Sequence, residues 1–157
     1  MNINLIFTYG VSLKDWKIAG ILDRELEIYR QMISNQGYII NLITFGDNED
    51  EQILLDDKNI NVYPVYKYIN KTNNRFINFL LSFLIPFKLK EELKNTDLIK
   101  TNQLNGSWVG IILKFMLKKP LIIRTGYNLY EFSKNEKKSY IKQLFYFLLT
   151  KYSIKFS

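Results

Sequence analysis

The sequence contains no cysteine and no histidine. Without cysteine, the chain can form neither a disulfide nor a zinc–thiolate site, and this composition suits a reducing compartment. Without histidine, it lacks the usual general base at neutral pH and the commonest transition-metal ligand. Serine–histidine and cysteine–histidine mechanisms are therefore excluded. Any chemistry must rest on carboxylates, arginine, lysine, tyrosine, hydroxyls and amides, and we predict no metal site.

Long apolar segments are also absent. The most apolar stretch, residues 76–87, is interrupted by polar residues and a proline. It is shorter than the roughly 20 residues that a membrane-spanning helix needs. The first residues do not have the basic and apolar pattern of a secretory signal, so we expect a cytoplasmic protein. Residues 76–87 are expected to form a buried helix; the alternative is a helix at a membrane surface beside Lys88 and Lys90.

Length and composition predict one folded domain over residues 1–157. The chain is 47% hydrophobic and 15% aromatic, which is too apolar for a disordered segment.

Its net charge of +7 is distributed unevenly: residues 1–57 hold 4 basic and 10 acidic residues, whereas residues 58–157 hold 18 basic and 5 acidic residues. A basic region indicates affinity for phosphate or an anionic membrane surface, although an AT-rich genome also enriches lysine. No nucleic-acid recognition motif is present, so nucleic acid is not an expected partner.

Strand and helix patterns alternate along the chain. Short apolar runs predict strands at residues 3–8, 38–45, 60–66, 98–101 and 120–124. Amphipathic spacing predicts helices at residues 21–36, 75–84, 107–117 and 140–152, with Pro86 ending or kinking the second of these before residues 87–93 continue it. The connections are long enough for crossovers. This order predicts an α/β fold: a Rossmann-like parallel sheet with helices on both faces.

Two further segments carry structural predictions. The acidic residues 47–57 have no ordered spacing of metal ligands, so we expect a solvated loop. Residues 153–157 follow the last predicted helix and are expected to begin another extended run, as in a sheet that continues. The chain is therefore expected to be half of a larger protein.

Three polar loops are predicted at the carboxyl ends of the strands, where open α/β sheets bind ligands. In the first, residues 10–20, Gly20 at the start of a helix would let an anion approach free backbone N–H groups. Trp16 would stack on a sugar or a base. The alternative is that both residues serve only packing.

The other two loops follow the fourth and fifth predicted strands. Residues 101–106 offer side-chain amides for ligand hydroxyls, and residues 124–128 offer Arg124 for a phosphate or a carboxylate. The alternative role of Arg124 is a structural ion pair. Each motif is weak alone, and their shared position at one rim is the stronger signal.

These motifs resemble a known family. The residues that carry the resemblance are Gly10, Ser12, Trp16, Gly20, Arg24, Glu25, Tyr29, Gly37, Thr44, Phe45, Gly46, Lys100, Thr101, Asn102, Gln103, Lys119, Pro120, Arg124, Thr125, Gly126 and Tyr127. Together they resemble the N-terminal domain of family 4 type glycosyltransferases of the GT-B fold, over nearly the whole chain.

The resemblance implies one of two Rossmann-like domains that face each other across a cleft. This half would receive a sugar or lipid-linked glycan acceptor in cell-surface polysaccharide synthesis. A C-terminal domain or subunit would bind the nucleotide-sugar donor, a co-substrate rather than a cofactor, and transfer would proceed with retention and without a metal. The predicted acceptor and donor-phosphate residues are Gly10, Ser12, Trp16, Gly20, Arg24, Glu25, Asn102, Gln103, Arg124, Gly126 and Tyr127.

The catalytic residues are not predicted. The family's C-terminal domain carries two glutamates eight positions apart, and no two glutamates of this chain have that separation. The isolated chain is therefore expected to be inactive, as a truncated or split enzyme. The alternative is a non-catalytic, membrane-associated module that binds a partner at the inner face of the membrane.

Overall fold

Five parallel strands form the sheet in the computed structural model, which describes residues 1–126 and 129–157. The strands are β1 (Asn2–Ile6), β2 (Ile39–Thr44), β3 (Ile60–Pro64), β4 (Leu98–Thr101) and β5 (Leu121–Ile123). Their order in the sheet is β3-β2-β1-β4-β5. Because the chain moves outward from β1 to β3 and then returns to the other side of β1, the order reverses between β1 and β4.

Eight α-helices and one 3₁₀ turn connect or flank the strands in the described residues. They are α1 (Leu13–Ile18), α2 (Leu22–Gln36), α3 (Glu49–Ile53), a 3₁₀ turn (Val65–Lys67), α4 (Arg75–Ser82), α5 (Ile85–Lys88), α6 (Ser107–Leu117), α7 (Leu129–Asn135) and α8 (Tyr140–Phe156). None of them is both long and apolar enough to cross a membrane.

The prediction of a Rossmann-like α/β fold is confirmed. Every neighbouring pair of strands is parallel. Lys100 and Thr101 follow each other in β4 and so point to opposite faces of the sheet. Lys100 donates a hydrogen bond to Tyr29 of α2, while Thr101 lies beside Gly110 of α6. Helices α2 and α6 therefore cover opposite faces.

A row of hydrogen-bonded amides crosses three strands, with Asn4 and Asn41 buried and Asn61 exposed at the edge strand. Asn41 Nδ2 donates to Asn4 Oδ1 (2.8 Å), and Asn61 Nδ2 donates to Asn41 Oδ1 (2.9 Å). Asn4 Nδ2 donates in turn to Thr96 Oγ1 (2.6 Å). A slip of one residue would turn these amides to the other face of the sheet, so the row holds β1, β2 and β3 in register.

The acidic segment is not a solvated loop throughout, because Asp50 is only 1% exposed. Its carboxylate accepts hydrogen bonds from the backbone N–H groups of Leu13 (3.1 Å) and Lys14 (3.0 Å) and from Thr44 Oγ1 (2.6 Å). Gly46 makes room for this group, since a Cβ there would lie 2.0 Å from Asp50 Oδ2. One carboxylate thus joins α1, β2 and α3.

Residues 76–87 are buried only in part, because Ile85 is fully buried whereas no apolar side chain of α4 is. Asn78 and Ser82 are the buried residues of α4, at 9% and 1% exposure, whereas Phe76 is 66% and Leu80 is 50% exposed. The break near Pro86 is confirmed, but the residues beyond it do not continue a helix to residue 93, because α5 ends at Lys88.

The end of the chain is helical rather than extended. Helix α8 continues through Phe156, and its buried Ser153 shares a hydrogen bond of 2.8 Å with Ser107 of α6. This contact holds the last turns of α8 against the neighbouring helix. Helix α7 was not predicted.

The role of Asp50 can be tested by substitution. We expect Asp50→Ala to lower the free energy of unfolding by about 2 to 4 kcal/mol, because three donors, two of them buried, lose a charged acceptor. The adjacent Glu49→Gln removes an exposed ion pair with Lys14 and should cost less than about 1 kcal/mol. Urea unfolding followed by tryptophan fluorescence measures both. Equal losses in the two variants would contradict the assigned role.

Candidate functional site

The loops after β1 and β4 meet where the strand order reverses. The Tyr9 N–H donates to the carbonyl oxygen of Asn105 (3.0 Å). Gly106 has a φ of 108°, and a Cβ there would lie 2.9 Å from the Phe7 carbonyl oxygen. The two loops therefore need a glycine at this position, and they form one continuous rim at the carboxyl edge of the sheet.

The first predicted binding loop contains a capped helix. Ser12 Oγ accepts from the Asp15 N–H (3.0 Å), and Asp15 Oδ2 accepts from the Ser12 N–H (2.7 Å), which is a capping box. Asp50 takes the N–H groups of Leu13 and Lys14. The first-turn amides of α1 are therefore already bonded to groups of the protein itself, which leaves none of them for a ligand phosphate.

Gly20 ends α1 instead of opening the next helix. Its φ is 68°, its N–H donates to the Lys17 carbonyl (3.1 Å), and the Ile21 N–H donates to the Trp16 carbonyl (3.0 Å). These two bonds form a Schellman motif, whose left-handed residue favours glycine. A Cβ at Gly20 would meet no atom within 4 Å, so backbone conformation and not close approach explains the glycine.

Trp16 and Gly10 do not present binding groups in this structure. The Trp16 indole is 4% exposed and stacks on the Phe7 ring, with 4.2 Å between ring centroids. It belongs to the core, so its role is packing. Gly10 has a φ of 80° and open space around it, which is the geometry of a turn.

Arg24, Glu25 and Arg124 are brought together. Arg24 Nη2 lies 2.8 Å from Glu25 Oε1, and Arg124 Nη1 lies 3.8 Å from Glu25 Oε2. The Arg24 and Arg124 side chains are 72% and 50% exposed, so these pairs contribute little stability. One carboxylate between two guanidinium groups leaves a net positive charge at the surface.

Lys100 and Tyr29 adjoin this group, although the sequence pattern does not predict them as site residues. Lys100 Nζ donates to Tyr29 Oη (2.6 Å). Burial, reinforced by the charge of Arg124, lowers the pKa of Lys100, and burial raises the pKa of Tyr29 to about 12. The feature of the sequence that points to Lys100 is a lysine inside a short strand, and its neighbours in that strand are buried. We call Arg24, Glu25, Tyr29, Lys100 and Arg124 the charged cluster.

Gln103 links the loops after β4 and β5. The Gly126 N–H donates to Gln103 Oε1 (3.0 Å), and a Cβ at Gly126 would lie 2.9 Å from that oxygen. The Asn102 N–H donates to the carbonyl of Ile6 (2.7 Å), which ties its loop to β1. Tyr127, also predicted for the site, lies outside the described residues.

A small cavity opens at this rim. Its volume is about 140 Å³, and we call it the rim cavity. Its lining residues come from the loops after β1 and β4 and from α7, α8 and the connection between them: Thr8, Gln103, Leu104, Asn105, Leu129, Phe132, Lys138 and Tyr146. A second cavity of about 380 Å³ shares Leu104 and extends along the end of β5 and α8, where hydroxyl and aliphatic groups line it.

The rim cavity suits a ligand with many hydroxyl groups. The Gln103 and Asn105 side chains can both donate and accept hydrogen bonds, and the Phe132 and Tyr146 rings offer apolar surface. The cavity lining includes no carboxylate. Across residues 1–126 and 129–157, no group of three or more acidic side chains is arranged to hold a metal ion.

Comparisons with known proteins give a distant structural likeness. No protein-family model and no curated protein matches the sequence. The structure of HepE from Anabaena in complex with UDP aligns at 19% identity over 77% of this chain, with a TM-score of 0.43. The HepE complex with UDP and glucose aligns at 20% identity over 90% of the chain, with a TM-score of 0.46. The matches cover 28% and 33% of the HepE chains, so this chain spans about a third of their length.

The buried tyrosine of the charged cluster predicts a pH effect. Because the pKa of Tyr29 is about 12 when folded and ordinarily 10, the neutral ring stabilises the fold below pH 10. That stabilisation is lost as the pH rises from 10 to 12. We expect wild type to lose about 2 to 3 kcal/mol relative to Tyr29→Phe over this interval.

Urea unfolding at several pH values measures this difference. Tyr140→Phe changes a ring that is 78% exposed and is the matched control, which should follow the wild-type curve. Parallel pH profiles of wild type and Tyr29→Phe would exclude the proposed cause.

Proposed function

We propose that this chain is the acceptor-side domain of a two-domain glycosyltransferase of the family 4 type. In this proposal, the rim binds a sugar or lipid-linked glycan acceptor, and a separate domain or subunit binds the nucleotide-sugar donor. Transfer proceeds with retention, as the sequence resemblance implies, and serves cell-surface polysaccharide synthesis. The lone chain holds the acceptor without completing the reaction.

One observation carries the proposal: amides and aromatic rings line the same cavity at the carboxyl edge of the sheet. Gln103 and Asn105 lie on one side, and Phe132 and Tyr146 lie on helices packed against that rim. Sugars have hydroxyl groups around the ring and apolar C–H faces. Side-chain amides match the hydroxyl groups, and aromatic faces match the C–H surface.

The size of the cavity supports a shared site. Complete ligand pockets commonly enclose about 300 to 1,000 Å³, and the rim cavity has about 140 Å³. A cavity of this size holds part of a ligand and needs another wall. In the proposal, the donor-binding domain supplies that wall.

The charged cluster indicates a second property of the acceptor, a negative charge. Arg24, Lys100 and Arg124 outnumber the single carboxylate of Glu25. Exposed guanidinium groups bind phosphate and carboxylate oxygens through paired hydrogen bonds. We therefore assign these cations to an anionic group of the acceptor, such as the phosphate of a lipid-linked glycan.

Ligand-observed NMR on the purified chain tests the acceptor role. A panel of methyl glycosides should include at least one sugar that binds, and Gln103→Ala should weaken that binding by about two- to tenfold through loss of an amide contact. Gln52→Ala changes an exposed amide on α3, far along the chain from the rim, and should leave binding unchanged.

The same experiment includes UDP as the donor probe. We expect UDP to give no saturable signal with the lone chain. Saturable UDP binding in the absence of any sugar binding would overturn the acceptor-side assignment. Equal weakening by the two glutamine substitutions would place the sugar somewhere other than the rim cavity.

A further inference from the structure

Two neighbouring helical segments expose an unusual number of apolar side chains. We call this set the α4–α8 surface: Phe76, Ile77, Leu80, Leu84 and Phe87 from α4, α5 and their junction, and Ile141, Leu144, Leu148 and Tyr152 from α8. Their exposed fractions run from 38% for Leu148 to 79% for Ile141. Single exposed apolar residues are ordinary, whereas a contiguous group marks an interaction surface.

The two helices form one continuous surface because their inner residues touch. The rings of Phe79 in α4 and Phe145 in α8 lie 5.6 Å apart. Phe76 precedes Phe79 by three positions, and Ile141 and Leu148 lie four before and three after Phe145. Residues at these spacings share one side of a helix, so the exposed groups flank the contact between the helices.

Hydrogen bonds hold α4 with its polar residues inward. Asn78 Nδ2 donates to the Thr72 carbonyl (2.8 Å), and the Thr72 N–H donates to Asn78 Oδ1 (2.8 Å). Ser82 Oγ accepts from Trp108 Nε1 (2.9 Å). Turning the apolar side of α4 inward would break these bonds in a buried setting, so the fold itself keeps that side exposed.

The charge around this surface has one sign. Residues 68–90 contain Lys71, Arg75, Lys88 and Lys90 and no acidic residue. Residues 137–157 contain five lysines and no acidic residue. Within the described ranges, Arg75 and Lys88 are exposed and form no salt bridge. The apolar groups are therefore accompanied by a surplus of cations, of which Arg75 and Lys88 have no carboxylate partner among the described residues.

We propose that the α4–α8 surface docks on an anionic lipid bilayer. Apolar side chains enter the boundary between headgroups and acyl chains, while lysine and arginine contact anionic headgroups. A second copy of this chain fits less well, because a symmetric contact would place like charges against each other. This inference goes beyond sugar transfer and does not depend on it.

Vesicle co-sedimentation tests the docking surface. The chain should bind phosphatidylcholine vesicles that contain phosphatidylglycerol, and binding should fall steeply between about 0.05 and 0.5 M salt. We expect the double variant Phe76→Ser with Leu80→Ser to lower the partition coefficient at least about tenfold. Lys88→Glu should lower it about fivefold or more.

Matched controls use residues on other elements. Ile18→Ser with Leu55→Ser removes two side chains that are 77% and 68% exposed, and Lys58→Glu reverses an exposed charge next to β3. Both should keep wild-type binding, and circular dichroism melts should show that all variants remain folded. If the Phe76 and Leu80 variant binds like its control, the proposal is wrong.

Gel filtration separates a bilayer from a second copy. A monomer that binds only anionic vesicles supports the proposal. A dimer that the Phe76 and Leu80 substitutions dissociate, together with no vesicle binding, would overturn it and assign the surface to self-association. Either result leaves the sugar-binding test at the rim unaffected.

Discussion

The buried carboxylate of Asp50 determines whether the loop and helix after β1 can bind an anion. In nucleotide-binding units, the helix after the first strand leaves its N-terminal amides free for a phosphate. Here Asp50 takes two of those amides, and the capping box of Ser12 and Asp15 takes the next. Gly46 has no side chain because the carboxylate fills the space beside it. The protein thus supplies its own anion where a ligand anion would otherwise bind.

The candidate site therefore lies away from α1, where the loops after β1, β4 and β5 meet. Gly106 lets the loop after β4 pack on the loop after β1, and Gln103 ties it to the loop after β5. The rim is also close to the α4–α8 surface, because Tyr9 Oη donates to the Arg75 carbonyl (3.4 Å) and its ring packs against Phe79. A bilayer at that surface would lie near the rim, which agrees with a lipid-linked acceptor in our proposal.

Sequence patterns predicted the sheet well and the roles of single polar residues poorly. Strand β4 and helix α6 have the predicted bounds. A short apolar run is typical of a buried strand, and a long run with helical periodicity is typical of a helix. Asp50 was missed because its neighbours in the acidic segment are solvated and only the tertiary fold buries it. Residues 76–87 were misjudged because their apolar character favours burial, while hydrogen bonds of Asn78 and Ser82 turn the helix the other way.

Some of the predicted site residues lie together in the structure and others do not, and the sheet topology and local packing explain the difference. Arg24, Glu25 and Arg124 meet because α2 begins, and β5 ends, at the carboxyl edge of the parallel sheet. Trp16 does not face the site because helix α1 places its indole against Phe7. This helix is too short to give a periodic sequence pattern. Local sequence cannot distinguish an aromatic residue that faces a ligand from one that faces the core.

Asp50 and the capping box of Ser12 and Asp15 close the N-terminus of α1 to anions. Titration of the ¹⁵N-labelled chain with inorganic pyrophosphate, followed by amide chemical shifts, tests this most directly. Because these amides are already bonded, we expect no saturable shift at the backbone amides of Leu13, Lys14 and Asp15. A saturable shift at these three amides would contradict it.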